Sequence, residues 1–283
     1  MLESSYKRFV LSTDSIGVLL AAPLRDSNQM KFPSIPKKNL PEFLEGLYQR
    51  YNKREYVHPD PLEFLYRYST IAEREIVGLI ASSFAYGNVN QILKSVSKIL
   101  KPMEKSPRVF VLENSWEDFF KIYKGFKHRW HTDEDLAGLL VGIQRVLKKF
   151  GSLENCFVAG KTQDFFVGEI IKGQKIRKNL LPLSANGSAS KRLHMYLRWM
   201  VRHDEVDPGG WRRVSPASLL VPLDTHMFRM SQKLNLTRRK QANLKTVLEV
   251  TEGFLKIKPQ DPVRYDFVLT RFGIQKKSFP NSF

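Results

Sequence analysis

Residues 188–229 read SASKRLHMYLRWMVRHDEVDPGGWRRVSPASLLVPLDTHMFR, and the reading of the whole chain turns on them. Leu193, Leu197, Met200 and Val201 recur at the helical period behind a turn of small residues, so a helix is expected from about Lys191. A loop rich in Asp, Pro, Gly and Trp, DEVDPGGW, then leads through SPASLLVPLD to Asp224, whose acceptor side chain opens a second helix. Lys191 and Asp224 thus stand at two helix starts, 33 positions apart. An amine and a carboxylate, if the fold brings them together, can serve as nucleophile and general base.

Outward from this segment the chain keeps the same period. Leu40, Phe43, Leu44, Leu47, Tyr48 and Tyr51 mark an amphipathic helix, and Asp60-Pro61 is a helix-start signal, an acceptor followed by a residue whose missing N–H costs nothing there. Glu73 to Phe84 continues as a buried helix that stops in SSFAYGN, and Asn88 starts the next. Ser115 with Asp118 and Thr132 with Asp135 frame two further starts, the second before a long helix ending at Phe150-Gly151. A compact turn, NLLPLSANGSASK, precedes Lys191, and later helices begin near Arg238 and at Asp261-Pro262. The run RVFVL near Val109 is the one stretch that reads as a strand, so an all-α protein without solenoid repeats is expected.

Charge points to the partner. Lys and Arg total 46 against 28 Asp and Glu, a formal charge of +18, which favours a polyanion, nucleic acid first. Between Ile171 and Arg213 ten basic residues stand against three acidic ones, so the excess gathers around the opening segment. The single cysteine, Cys156, excludes an intrachain disulfide framework and a cysteine-built zinc or iron–sulfur site, and fits a reducing compartment. His128 and His131 flank Arg129 and Trp130 without carboxylates at ligand spacing, so no metal is expected. No run of eighteen apolar residues predicts a membrane span, and residues 1–38 read as a poorly ordered leader and linker.

VPLDTHMFRMSQKLNL resembles the Asp-bearing segment of the helix-hairpin-helix (HhH-GPD) superfamily of DNA glycosylases, and LLPLSANGSASKRLHMYLRWM is similar to the hairpin and helix that carry the catalytic lysine of its bifunctional members. Together with DPVRYDF these segments look closest to an uncharacterised bacterial family resembling the archaeal-type 8-oxoguanine DNA glycosylases, whose long Lys-to-Asp interval they share. The likeness spans about Pro61 to Ile274. It implies a two-lobed helical fold with the active-site cleft between the lobes. The expected lobes are 70–213, carrying the hairpin, and 39–69 with 214–283. Two departures stand out: the hairpin has Ser184, Ala185, Asn186 and Gly187 in place of a compact LPGVG, and no C-terminal cysteine cluster follows. No iron–sulfur cluster or other cofactor is therefore expected, and a monovalent cation bound by the hairpin stays an open alternative.

The implied function is a base-excision-repair glycosylase with AP-lyase activity that flips an oxidised purine, 8-oxoguanine first, out of damaged double-stranded DNA, working as a monomer in the cytoplasm at the nucleoid. Asp224 would stabilise positive charge at C1′ or deprotonate the nucleophile, and Lys191, with cationic Arg192 beside it, would form a Schiff base. Asp224 also reads as a plain N-cap, and the two roles are compatible; Lys191 also reads as a solvated or phosphate-contacting lysine. Asn186, Gly187 and Ser188 would meet phosphate with Arg192, while Phe84, Tyr86 and Asn88 would fill the space of the extruded base. Trp199 and Trp211 would wall the base pocket, though Trp199, on an apolar helix, also reads as core. The rival readings are a non-catalytic DNA-binding protein that keeps the fold and an RNA-binding helical protein.

Overall fold

A computed structural model describes residues 39–103, 106–177 and 179–274, without the side chains of residue 186 and residues 272–274; the segment of the expected leader lies outside them. The described residues belong to one compact unit and are all-α apart from one tiny ladder. The helices are α1 (Leu40–Tyr51), α2 (Ile71–Ser83), α3 (Val89–Leu100), α4 (Pro107–Glu113), α5 (Trp116–Ile122), α6 (Asp133–Phe150), α7 (Leu153–Gly160), α8 (Gln163–Ile171), α9 (Lys191–Val201), α10 (Thr225–Lys233), α11 (Leu244–Leu255) and α12 (Asp266–Ile274).

Local chemistry explains most of these boundaries. Ser115 and Asp118 form a reciprocal capping box at α5, and Asp135 accepts from Thr132 N at 3.0 Å at the start of α6. At the far end of α6, Gly151 takes the left-handed conformation, φ 80°, that a side chain would oppose. One face of α6 buries Leu136, Leu139, Leu140, Ile143, Val146 and Leu147, each such side chain contributing about 1.5–3 kcal/mol of transfer free energy. Gly142 on the same helix lets the backbone of α8 approach: a Cβ there would lie 2.1 Å from the Ile170 carbonyl oxygen.

The strand expected at RVFVL is corrected. The segment is helix α4, because Ser106 Oγ accepts from Val109 N at 3.2 Å and Pro107 occupies its first turn. The only strands among the described residues are β1 (Lys127–His128) and β2 (His131–Thr132), a two-residue hairpin with His128 opposite His131.

Helix α6 packs on α4, α5, α7 and α8, while α2 packs on α4, α7 and α9. The close approach of α2 and α9 runs through Gly78, where a Cβ would stand 3.2 Å from the Tyr196 ring. Helix α12 joins α10 and α1. The core is continuous and includes Trp199, Tyr196, Phe64 and Phe84, all fully buried.

Candidate active site

Two helix starts meet at the site. Lys191 is the first residue of α9, and its N-cap, Ser190, is buried and left-handed, φ 41°. A serine accepts that conformation here because its neighbours hold it: Ser190 N donates to Ser188 Oγ at 3.1 Å, and its own carbonyl accepts from Leu193 N and His194 N. Asp224 is the N-cap of α10, with Oδ1 accepting from Met227 N at 2.8 Å. The segment before it is anchored by buried Val221 and Leu223, and Val221 N donates to Thr251 Oγ1 on α11 at 3.1 Å.

The second oxygen of Asp224 faces the amine. Lys191 Nζ lies 4.0 Å from Asp224 Oδ2, and the two side chains keep 28% and 25% of their surface accessible. The sequence therefore brings the two ends of the opening segment together, partly open to solvent. The dipole of α10 favours a negative group at its cap.

A third charged group stands behind this pair. Asp266, the first residue of α12, is buried and accepts from Arg198 Nη1, and its Oδ1 has no hydrogen-bond partner among the described residues. Burial pushes the Asp266 carboxyl up to about 6 against the pull of Arg198, and the charges of Asp224 and Lys191 both act on it in opposite senses. Arg198 continues to Asp207 through Nε at 3.2 Å. Arg202 also binds Asp207, reaches Asp204 at 2.8 Å, and holds Asp261 through Nε at 2.9 Å. Tyr48 on α1 closes the network by donating to Asp204 at 2.8 Å. Alternating buried charges thus tie the C-terminal half of α9 to α12 and α1. Sequence reading missed this network, although Asp261 and Asp266 both lie in the segment DPVRYDF that helped carry the resemblance.

Other expected contacts fall elsewhere. Gly187 is exposed and left-handed, but its N–H donates to Ser184 O at 2.9 Å, within the turn. The neighbouring N–H groups of Ser184 and Ala185 donate to the Asp164 carboxylate at 2.6 and 3.0 Å, so a protein anion already sits on that part of the hairpin. Ser188 serves the turn through its hydroxyl, and the side chain of Asn186 lies outside the described set. Arg192 does not face Lys191: its guanidinium donates to the Ser83 and Asn179 carbonyls and lies over the Tyr86 ring, 4.8 Å from its centroid. Burial holds its pKa down to about 10.

The extrusion role of Phe84 is corrected, since its ring is fully buried against Phe126 and His128. Asn88 is exposed but is committed to capping α3, accepting from Asn90 N at 3.0 Å. Tyr86 is half-buried and donates to His128 O at 2.9 Å. The pocket-wall reading of the two tryptophans gives way to the core: Trp199 is fully buried, and Trp211 is buried with its indole N–H on Glu75 at 3.2 Å. The exposed tryptophan of this region is Trp130, at the tip of the β1–β2 hairpin.

Among the described residues no group of three or more His, Cys, Asp or Glu side chains could hold a metal ion. None of their helices is long and apolar enough to cross a membrane. Cys156 is buried, and burial pushes its thiol up to about 12.

The chain is thus an all-α protein with a partly open amine–carboxylate pair at two converging helix starts. Residues 60–275 match the family described as Protein of unknown function (DUF2400), and the chain belongs to it. No curated protein and no solved structure matches the chain.

Proposed function

We propose that this protein is a DNA glycosylase of the HhH-GPD type with AP-lyase activity, acting as a monomer on double-stranded DNA that carries an oxidised purine. The observation that carries the reading is the placement of Lys191 Nζ 4.0 Å from Asp224 Oδ2 with both groups reachable from solvent. Helix α12 packs on both α10 and α1, so elements from the two ends of the chain meet, as the second expected lobe requires. The net charge of +18 supplies attraction to phosphate.

In the proposed reaction the Lys191 amine attacks C1′ of a flipped nucleotide. The N–C1′ bond forms as the glycosidic bond breaks, and the base leaves with the bonding pair and takes up a proton. Asp224 stabilises the positive character that develops at the sugar and removes a proton from the attacking nitrogen. Opening of the sugar ring gives a Schiff base, from which loss of a C2′ proton expels the 3′ phosphate. The choice of 8-oxoguanine rests on the resemblance to the archaeal-type 8-oxoguanine glycosylases, whose long Lys-to-Asp interval this chain shares. The setting would be the nucleoid in the cytoplasm.

Borohydride trapping tests the reading. The protein is incubated with an 8-oxoguanine duplex and with an abasic duplex, and reduction of the Schiff base is expected to give a covalent adduct that Lys191→Ala abolishes. An undiminished adduct in that variant refutes Lys191 as the nucleophile. Absence of any adduct, with duplex binding intact, would leave a DNA-binding protein without catalysis.

A further inference from the structure

The tip of the β1–β2 hairpin consists of Arg129 and Trp130, between His128 and His131. Two-residue hairpin turns need a left-handed first position, usually filled by Asn, Asp or Gly. Here Arg129 adopts it, φ 56°. Among the described residues the guanidinium has no ion-pair partner, and its Cζ lies 4.3 Å from the Trp130 ring centroid. Trp130 is 55% exposed, the most open of the large apolar side chains among the described residues.

A rigid pedestal holds this exposed tip. His128 is buried, with Nδ1 2.8 Å from Ser95 Oγ and Nε2 3.1 Å from Tyr86 O. His131 is buried as well, with Nε2 3.0 Å from Asn179 Oδ1. The Trp130 ring lies parallel to Tyr86, at an interplanar angle of 1° and a centroid separation of 6.2 Å. Tyr86 in turn carries Arg192, the residue after Lys191. A flat, solvent-facing indole with a guanidinium at its face is thereby fixed to the same framework as the start of α9.

We propose that Arg129 and Trp130 form a stacking platform for an unpaired nucleobase. Its chemistry selects that occupant: the exposed indole and the planar guanidinium lying over it together present a stacking surface to any base, the guanidinium adds a phosphate contact, and exposed Lys124 and Lys127 continue the positive charge. The platform rests on the reading of the chain as a DNA-binding protein, but not on its catalysis. Such a platform would give the protein a preference for opened over fully paired DNA.

The test is fluorescence anisotropy with the full chain on three fluorescein-labelled DNAs without a lesion: a single strand, a duplex with one unpaired base, and the same duplex fully paired. Trp130→Ala is expected to weaken binding to the first two by about tenfold, the order of one lost base–aromatic stack, and to leave the paired duplex within about twofold. Trp130→Phe should restore most of the loss. Arg129→Gly, which gives the turn a residue suited to its backbone, should weaken the same two ligands by a smaller factor. Equal affinities of Trp130→Ala and the parent protein on all three DNAs overturn the platform. So does an equal loss on all three that Phe fails to rescue, which would mark the tryptophan as structural. A parent protein that gives no borohydride adduct yet keeps its selectivity for unpaired bases refutes the glycosylase and leaves the platform standing, whereas an adduct without that selectivity refutes the platform alone.

Discussion

His194 gives the α9 region a calculable sensitivity to acid. It lies three residues after Lys191, is 1% exposed, and has its Nε2 2.8 Å from Gln163 Oε1 on α8. Burial depresses its pKa from 6.5 to about 4. In the unfolded chain the imidazole therefore takes up a proton near pH 6.5, while in the folded chain it stays neutral until about pH 4. Its contribution to stability is fully present above pH 6.5 and is lost as the pH falls toward 4. At about 1.36 kcal/mol per pKa unit the whole span is worth about 3 kcal/mol, of which about 2 kcal/mol is gone at pH 5. Asp266 works in the other direction, because a carboxyl raised to about 6 loses stability as the pH rises through that range. The wild-type curve alone therefore mixes the two. His194→Gln removes the titration and leaves Asp266 in place, so the difference between the proteins isolates the histidine. Urea unfolding followed by circular dichroism at pH 7.5 and pH 5 is expected to show the variant gaining about 2 kcal/mol on the wild type at the lower pH. An unchanged difference at the two pH values would refute the assignment of a buried neutral imidazole.

The remaining predictions concern the packing and the cap. Gly142→Ala places a methyl 2.1 Å from the Ile170 carbonyl oxygen and should destabilise the fold by about 2–3 kcal/mol through separation of α6 from α8, read as a fall in Tm; an unchanged Tm would contradict that close approach. Asp224→Ala should cost about 1 kcal/mol of stability through loss of the Met227 N–H bond. Asp224→Asn should keep the cap and the stability yet lose base excision in a strand-nicking assay, and retained turnover there would leave Asp224 a structural role only.

The periodicity of the sequence reaches many of the helices, because most bury one face and most begin at a Ser, Thr, Asp or Asn that keeps its side-chain oxygen for the first turn; α7 and α8 go unread, and the starts expected near Arg238 and at Asp261-Pro262 lie at Leu244 and Asp266. RVFVL misleads because four apolar residues in a row fit a strand as well as a buried turn of helix, and the Ser106-Pro107 start that decides it lies just upstream. Two-residue strands leave no alternation to read, so the β1–β2 hairpin and its exposed tryptophan escape detection. Phe84 and Tyr86 share one turn with opposite fates, and which of them faces inward is decided by Phe126, His128 and His131, residues more than 40 positions away. The approach of Lys191 to Asp224 is legible through the resemblance and the two helix starts. The Arg198–Asp266 contact is not, since it joins residues 68 positions apart and pairing partners among 46 basic residues cannot be chosen from order along the chain.

That buried network also bears on how Lys191 should be understood. Arg198 and Arg202 are held by Asp207, Asp266, Asp204 and Asp261, and Arg192 by two carbonyl oxygens, so these cations are used to fix α9 in place. Charge-assisted N–H···O bonds of that kind run at about 2.7–2.9 Å. Lys191, at 4.0 Å from Asp224 Oδ2, is looser than such a bond, and Asp224 already has its cap bond through the other oxygen. An exposed ion pair at that range contributes on the order of 0–1 kcal/mol, too little to explain a lysine by stability. A helix anchored along its length by arginines, with one loosely held amine at its open end beside a capping carboxylate, supplies the rigid mount and accessible nitrogen that the proposed nucleophile would need.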